Sequence, residues 1–167
     1  MESFHESMNE YRKQLAKGSI QVAYRGLMDY LQALRAHIQK RHPEFSVPGS
    51  LYFGYMDMSY FSIVPDSLKS RSLKIAVVFL HEAFRFEIWL AAANKSVQAE
   101  YLKKIKDSGW DKYRIVPSVQ GYDSIIEHIL VTEPDFSDLA ALTTRIDQGI
   151  MEFIKDSENF LARNTFS

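Results

Sequence analysis

The segment Lys74–Ala91, KIAVVFLHEAFRFEIWLA, constrains the fold more than any other stretch of the chain. It reads as two strands meeting at a short polar turn. With Glu82 and Ala83 as the turn residues, His81 faces Phe84, Phe79 faces Phe86, Val77 faces Ile88 and Ile75 faces Leu90. All of these share one face, because strand side chains alternate. The other face carries Ala76, Val78 and Leu80 across from Trp89, Glu87 and Arg85. A one-residue slip moves Arg85 and Glu87 onto the apolar face, so the pattern selects its own register. Glu-Ala is poor chemistry for a two-residue primed turn, and a four-residue loop preserves the same facing.

The flanking segments supply helices. Phe4, Met8, Tyr11 and Leu15 recur at helical spacing, Lys17-Gly18 breaks the pattern, and Ser19 caps a second helix. Ile20, Tyr24, Leu27, Leu31, Leu34 and Ile38 mark that helix as long and amphipathic, ending near Arg41, because His42-Pro43 cannot continue it. These two are expected to form a helical hairpin whose seam packs into the protein's own core. Pro48–Pro65, rich in aromatics, reads as strand interrupted at Asp57, by a turn or bulge or by a specially placed acid. After the central hairpin, Asn94 or Ser96 caps a helix through Val97, Tyr101, Leu102 and Ile105. Tyr113–Val116 is expected as a short strand. In Asp123–Val131 the apolar pairs four residues apart favour a short helix capped by Asp123. A last long helix starts near Asp135 or Ser137 and runs through Leu142, Ile146, Ile150 and Phe153. The expectation is one α+β domain over residues 1–167: an N-terminal helical hairpin, an antiparallel sheet of about three to four strands, and C-terminal helices packed on the sheet.

Composition limits the function. Hydrophobic residues make up 46% and charged residues 25%, with 20 basic against 21 acidic side chains and a net charge of -1. That balance lacks the footprint of a nucleic-acid or anionic-membrane binder. There is no cysteine, which excludes disulfides, thiolate metal sites and cysteine nucleophiles. The first residues are partly acidic with no apolar run, so no secretory signal is expected, and no apolar run is long enough to span a bilayer. A cytoplasmic protein is expected, with no nucleic-acid or membrane partner.

Motifs for chemistry are few. His81-Glu82 lacks the second histidine four residues on that a zinc-protease helix needs, since Arg85 stands there. Asp57 and Glu87 resemble in order the acids of metal-dependent nucleases, but Trp89 occupies the lysine position. Glu127 and His128 are adjacent and point apart on a helix. No phosphate-cradling glycine loop and no nucleophile elbow occur. No metal site is expected.

The mixed face of the hairpin is the better lead. Arg85, Glu87 and Trp89 line up at every second position. Tyr52, Tyr55, Tyr60 and Asp57 come from the neighbouring strand region, and Tyr24 and Arg25 approach from the helix. An aromatic wall with one guanidinium and one carboxylate suits a small anionic ligand, held by Arg85 and stacked on Trp89 and the tyrosines. The bland alternative is a surface ion pair worth about 0–1 kcal/mol beside a tryptophan packed under the following helix. Two other readings stay open. One is a homodimer or partner-binding module using the long amphipathic helices. The other is a hydrolase-like or metal-dependent enzyme using Asp57, His81 and Glu82 or Glu87.

SLYFGYMDMSYF at Ser50–Phe61 and LKIAVVFLHEAFRFEIWLAAAN at Leu73–Asn94 resemble a family of small bacterial or archaeal proteins known only as a domain of unknown function. The resemblance extends to YRGLMDYL at Tyr24–Leu31 and to DSIIEHILV with the following EPDF. It implies a prokaryotic cytosolic protein and brings no activity, cofactor or catalytic residue.

Overall fold

A computed structural model describes residues 1–164. The chain runs α1 (Phe4–Lys17), α2 (Ser19–Arg41), β1 (Met58–Ile63), the single-turn α3 (Asp66–Lys69), β2 (Leu73–Leu80), β3 (Arg85–Ala92), α4 (Lys95–Ser108), β4 (Arg114–Ile115), β5 (Ile126–Thr132) and α5 (Leu139–Arg163). The strands form one antiparallel sheet in the order β1-β2-β3-β5-β4. The fold is α+β, with five strands where three or four were expected.

The central hairpin has the register its alternation demands, with Ile75 opposite Leu90, Val77 opposite Ile88 and Phe79 opposite Phe86. Residues 81–84 form the connecting loop, so the longer loop replaces the tight turn. Without glycine or asparagine there, the left-handed position falls on Phe84 at φ 53. A left-handed residue with a side chain costs about 1–2 kcal/mol, which the flanking strand pairs must offset.

One face of the sheet is the core. Phe61, Ile63, Ile75, Val77, Phe79, Phe86 and Ile88 are fully buried, against Leu31, Leu34 and Ile38 of α2 and Ile146, Ile150 and Phe153 of α5. Burying each such side chain contributes about 1.5–3 kcal/mol, which makes this layer the main source of stability. The α2 stripe enters the core progressively: Ile20 stays 42% exposed, Tyr24 and Leu27 pack against the core partly buried, and Leu31 and Ile38 are sealed.

α1 departs from expectation. It is well made locally: Ser3 and Glu6 form a reciprocal capping box, and Gly18 at φ 81 ends it. Yet it buries none of its residues, and Phe4 and Tyr11 are 81% and 54% exposed. Its apolar stripe therefore does not enter the protein's own core.

Residues 126–132 are strand, not the expected helix. Ile126 and His128 pair with Leu90 and Ile88, and then the register shifts, so that Val131 faces Phe86 while Ile129 faces Glu87. Leu130 is the extra residue of a β-bulge. The bulge brings two adjacent apolar residues together, Ile129 and Leu130, which in sequence imitates a helical repeat. Asp123 caps nothing here; it stands 3.8 Å from Lys95. The bulged Leu130 lies against Gly149 in α5, where a Cβ would sit 2.6 Å from the end of the leucine side chain at Cδ2. Gly149 is a notch that admits the bulge.

The α5 helix is capped by Asp138, which accepts the Ala141 N–H at 3.1 Å, while Asp135 closes a local turn with Ser137. Tyr52 and Tyr60 exchange backbone hydrogen bonds at 2.8 and 3.0 Å, so the 46–52 segment shields the edge strand β1. No described helix is long and apolar enough to cross a membrane.

Candidate functional site

The face of the sheet turned away from α2 and α5 carries the mixed residues. β3 contributes Arg85, Glu87 and Trp89, β2 contributes Lys74, Ala76 and Val78, β1 contributes Met58 and Tyr60, and β5 contributes Glu127 and Ile129. Glu87 organises this face. It is 2% exposed, and both carboxylate oxygens are engaged along its own strand. Arg85 Nε donates to Oε2 at 2.7 Å and Trp89 Nε1 donates to Oε1 at 2.9 Å. A buried carboxylate needs such donors, and the two-residue strand period supplies one on each side. Arg85 has no other hydrogen bond among the described residues, so its two terminal amino groups are unspent and its side chain is 32% exposed.

Trp89 forms one wall of a surface cavity of about 390 Å³. Tyr60 and Tyr52, with ring centroids 5.0 Å apart, form part of its lining, and Ala76 and Ala91 contribute small side chains there. Lys74 and Lys95 supply positive charge, and Asp123 negative charge. Lys74 has no ion pair or hydrogen bond among the described residues, whereas Lys95 donates to the Tyr122 carbonyl at 2.9 Å. Gln98, 3% exposed, reaches in from α4 and donates to the Tyr122 and Ser124 carbonyls, which anchors the 122–124 loop at the rim.

Some of the residues expected on this face lie together. Arg85, Glu87 and Trp89 form a chain of contacts, and Trp89, Tyr52 and Tyr60 share the cavity. Four others lie elsewhere. Tyr55 is 91% exposed on a turn away from the cavity. Asp57 closes that turn by accepting the Tyr55 N–H at 2.9 Å, and backbone donors hold its carboxyl below the usual carboxylate range. Tyr24 and Arg25 sit on α2 at the core side of the sheet, with the Tyr24 ring stacked 6.2 Å from His81. Their expected place on the mixed face fails because periodicity reveals which face of a helix a residue occupies, not which side of a sheet the helix covers.

The residues of the enzyme reading converge only in part: the His81 backbone N–H donates to the Asp57 carbonyl at 3.0 Å, whereas Glu82 and Glu87 lie apart from that pair. The His81 ring packs beside Phe79 and Tyr24 on the core side of the sheet, and Glu87 lies on the other face. Burial pushes the His81 imidazole below its ordinary pKa, against the pull of Asp57. Its Nε2 is 2.9 Å from Ser59 Oγ, but that hydroxyl donates to the Phe53 carbonyl at 2.5 Å and is sealed from solvent. Glu82 is exposed on the loop. Among the described residues no group of three or more histidine or acidic side chains has the geometry to hold a metal.

Two features went unread in the sequence. Asp147, 6% exposed on α5, takes His37 Nε2 at 2.8 Å on one oxygen and His42 Nε2 at 2.7 Å on the other, with Arg41 Nε at 3.5 Å. The sequence signal is a carboxylate beside Ile146 and one turn before Ile150, inside an apolar stripe. The other is an apolar groove of about 550 Å³ between the start of α2 and the tip of the hairpin, lined by Ile20, Val22, Met56, Phe84 and Leu139 among others. No single segment announces it, because four separate segments build it.

No curated protein and no solved structure matches the chain. The family described as a domain of unknown function, DUF7000, matches residues 4–161, from the first residue of α1 into the last turns of α5, so this chain belongs to the DUF7000 family.

Proposed function

We propose that the mixed sheet face binds a small planar anion, with its ring against Trp89 and Tyr60 and its charge toward Lys74. The observation that carries this reading is the fixed indole. Glu87 holds the Trp89 N–H from a buried position, so the ring is an ordered wall rather than a mobile surface side chain. Preordered aromatic walls keep the entropic cost of binding low. The cavity volume lies in the range of small-molecule sites, and an unpaired lysine at its edge gives a charge preference.

In this reading Arg85 is a positioning residue. It does not line the cavity, and its Nε is turned onto Glu87. Its part is to neutralise Glu87, which in turn fixes the indole.

Titration with benzoate, indole-3-acetate and adenosine monophosphate tests the proposal through tryptophan emission and calorimetry. At least one probe is expected to bind and to shift Trp89 emission, with binding weakened about tenfold or more in Lys74→Ala, the loss of one charge-assisted contact. A Trp89→Phe variant separates the Trp89 signal from that of Trp110, which stacks at 4.1 Å on Phe160. Silence from all three probes at millimolar concentration refutes the reading, as does binding indifferent to Lys74→Ala.

A further inference from the structure

Two apolar surfaces have no partner among the described residues. The first is the α1 stripe, Phe4, Met8 and Tyr11, exposed by 81%, 44% and 54%. The second is the groove of about 550 Å³, whose lining includes Val22 at 76%, Phe84 at 56% and Met56 at 51% exposure. No α1 residue lines the groove. A helix with one apolar stripe normally buries it, and an isolated helix of 14 residues is marginal in water. The family match nevertheless begins at residue 4, so α1 belongs to the shared domain rather than to an appended tail.

We infer that the protein forms a two-fold dimer by reciprocal exchange, in which α1 of each copy lies in the apolar groove of the other. This does not depend on the ligand site, which occupies the opposite face of the sheet.

Charge identifies the occupant. Five exposed acids, Asp29, Asp57, Glu82, Asp135 and Asp138, each stand next in sequence to a groove-lining residue. The bases near them are Arg25 and Arg85, and Arg85 is turned onto Glu87. The rim is therefore acidic. At the helical repeat, the charged side chain nearest the α1 stripe is Arg12, one turn beyond Met8 and without an ion pair among the described residues; His5 flanks it on the same side. Glu6, Glu10, Lys13 and Lys17 fall away from the stripe. An apolar ridge with a basic flank thus exists in the same molecule as an apolar groove with an acidic rim. The two are also adjacent in the chain. α1 joins α2 at Gly18, and the groove starts at Ile20, so a two-fold axis near Gly18 carries each arm directly to its neighbour's groove. Exchange of one element between identical copies is a low-cost route to a closed dimer.

Analytical ultracentrifugation and light scattering across a micromolar concentration series test the inference. The wild-type chain is expected to be a dimer. Met8→Glu on the arm and Phe84→Glu in the groove are each expected to weaken it at least 100-fold, because each puts a carboxylate into an apolar contact. Val22→Glu, at a more exposed groove position, repeats the groove test should Phe84→Glu disturb the hairpin loop, with circular dichroism checking the fold. Mixing decides the geometry. A Met8→Glu chain keeps an intact groove and a Phe84→Glu chain keeps an intact arm, so their mixture restores one of the two contacts and shows more dimer than either variant alone. A wild-type monomer throughout the series overturns the inference. So does a dimer that survives the groove substitutions, which would place the contact along α1 alone, and so does a mixture no more dimeric than its components.

Discussion

Replacing Glu87 with glutamine tests how the mixed face is held together. The substitution preserves size and shape, but a carboxamide has one acceptor oxygen and one donor nitrogen, while Glu87 faces two donors, Arg85 Nε at 2.7 Å and Trp89 Nε1 at 2.9 Å. Whichever way the amide turns, one donor meets another donor. If the oxygen takes Arg85, the indole N–H is left against an NH2. If it takes the indole, Arg85 loses its anion. A charge-assisted hydrogen bond is worth about 1.5–3 kcal/mol, and a buried donor left unpaired costs about 1–3 kcal/mol. Arg85 is 32% exposed and water recovers part of its loss, so the expected destabilisation is about 2 kcal/mol. Trp89→Phe removes the second donor, after which the amide oxygen can serve Arg85 without conflict. The double variant is therefore expected to be about 1 kcal/mol more stable than the sum of the single effects predicts. Urea unfolding followed by far-ultraviolet circular dichroism measures all four corners of the cycle without relying on the indole. A glutamine variant within about 0.5 kcal/mol of wild type, or strict additivity, would show that the carboxylate does not fix the ring and would remove the main support for the ligand site.

Two further outcomes are expected from the geometry. Asp147→Ala strips the acceptor from His37 and His42 and is expected to cost about 2–3 kcal/mol in urea unfolding, with His42→Ala strongly non-additive against it because both act through the same contact. His81 and His128 are both held below the ordinary value of 6.5 by burial, so above 6.5 neither affects stability. As pH falls below 6.5 the unfolded chain takes up protons that the folded chain refuses, and stability drops until the lower folded values are passed. His81→Gln is expected to flatten that part of the melting-temperature profile; an unchanged slope refutes the assignment.

How far the sequence could be read depended on which residues reported on themselves. The β2–β3 register was legible because a slip would bury Arg85 and Glu87 among phenylalanines, a penalty visible in the letters alone. The turn at Asp57 was legible for a similar reason, since short acids bond their own backbone. β5 was not, because the bulge at Leu130 breaks the two-residue rhythm that identifies a strand. α1 misled in the opposite way: its stripe at 4, 8, 11 and 15 is a sound helical signal, but periodicity tells that a face is apolar and not what covers it. The Asp147 cluster joins residues more than 100 positions apart, and the groove draws on four segments. Such sites come from packing, which no local pattern encodes.

The seat of Leu130 against Gly149 has a dynamic consequence. A bulge lodged in a notch resists sliding of α5 along β5, because any axial step brings Leu130 against a residue with a Cβ. The last helix and the strand beneath it should therefore open together, as one slow-exchanging unit whose amides share a common protection against deuterium. α1, which buries nothing in its own chain, belongs to the other extreme. In a lone copy its amides exchange first, and the exchange slows only when a neighbour's groove closes over it.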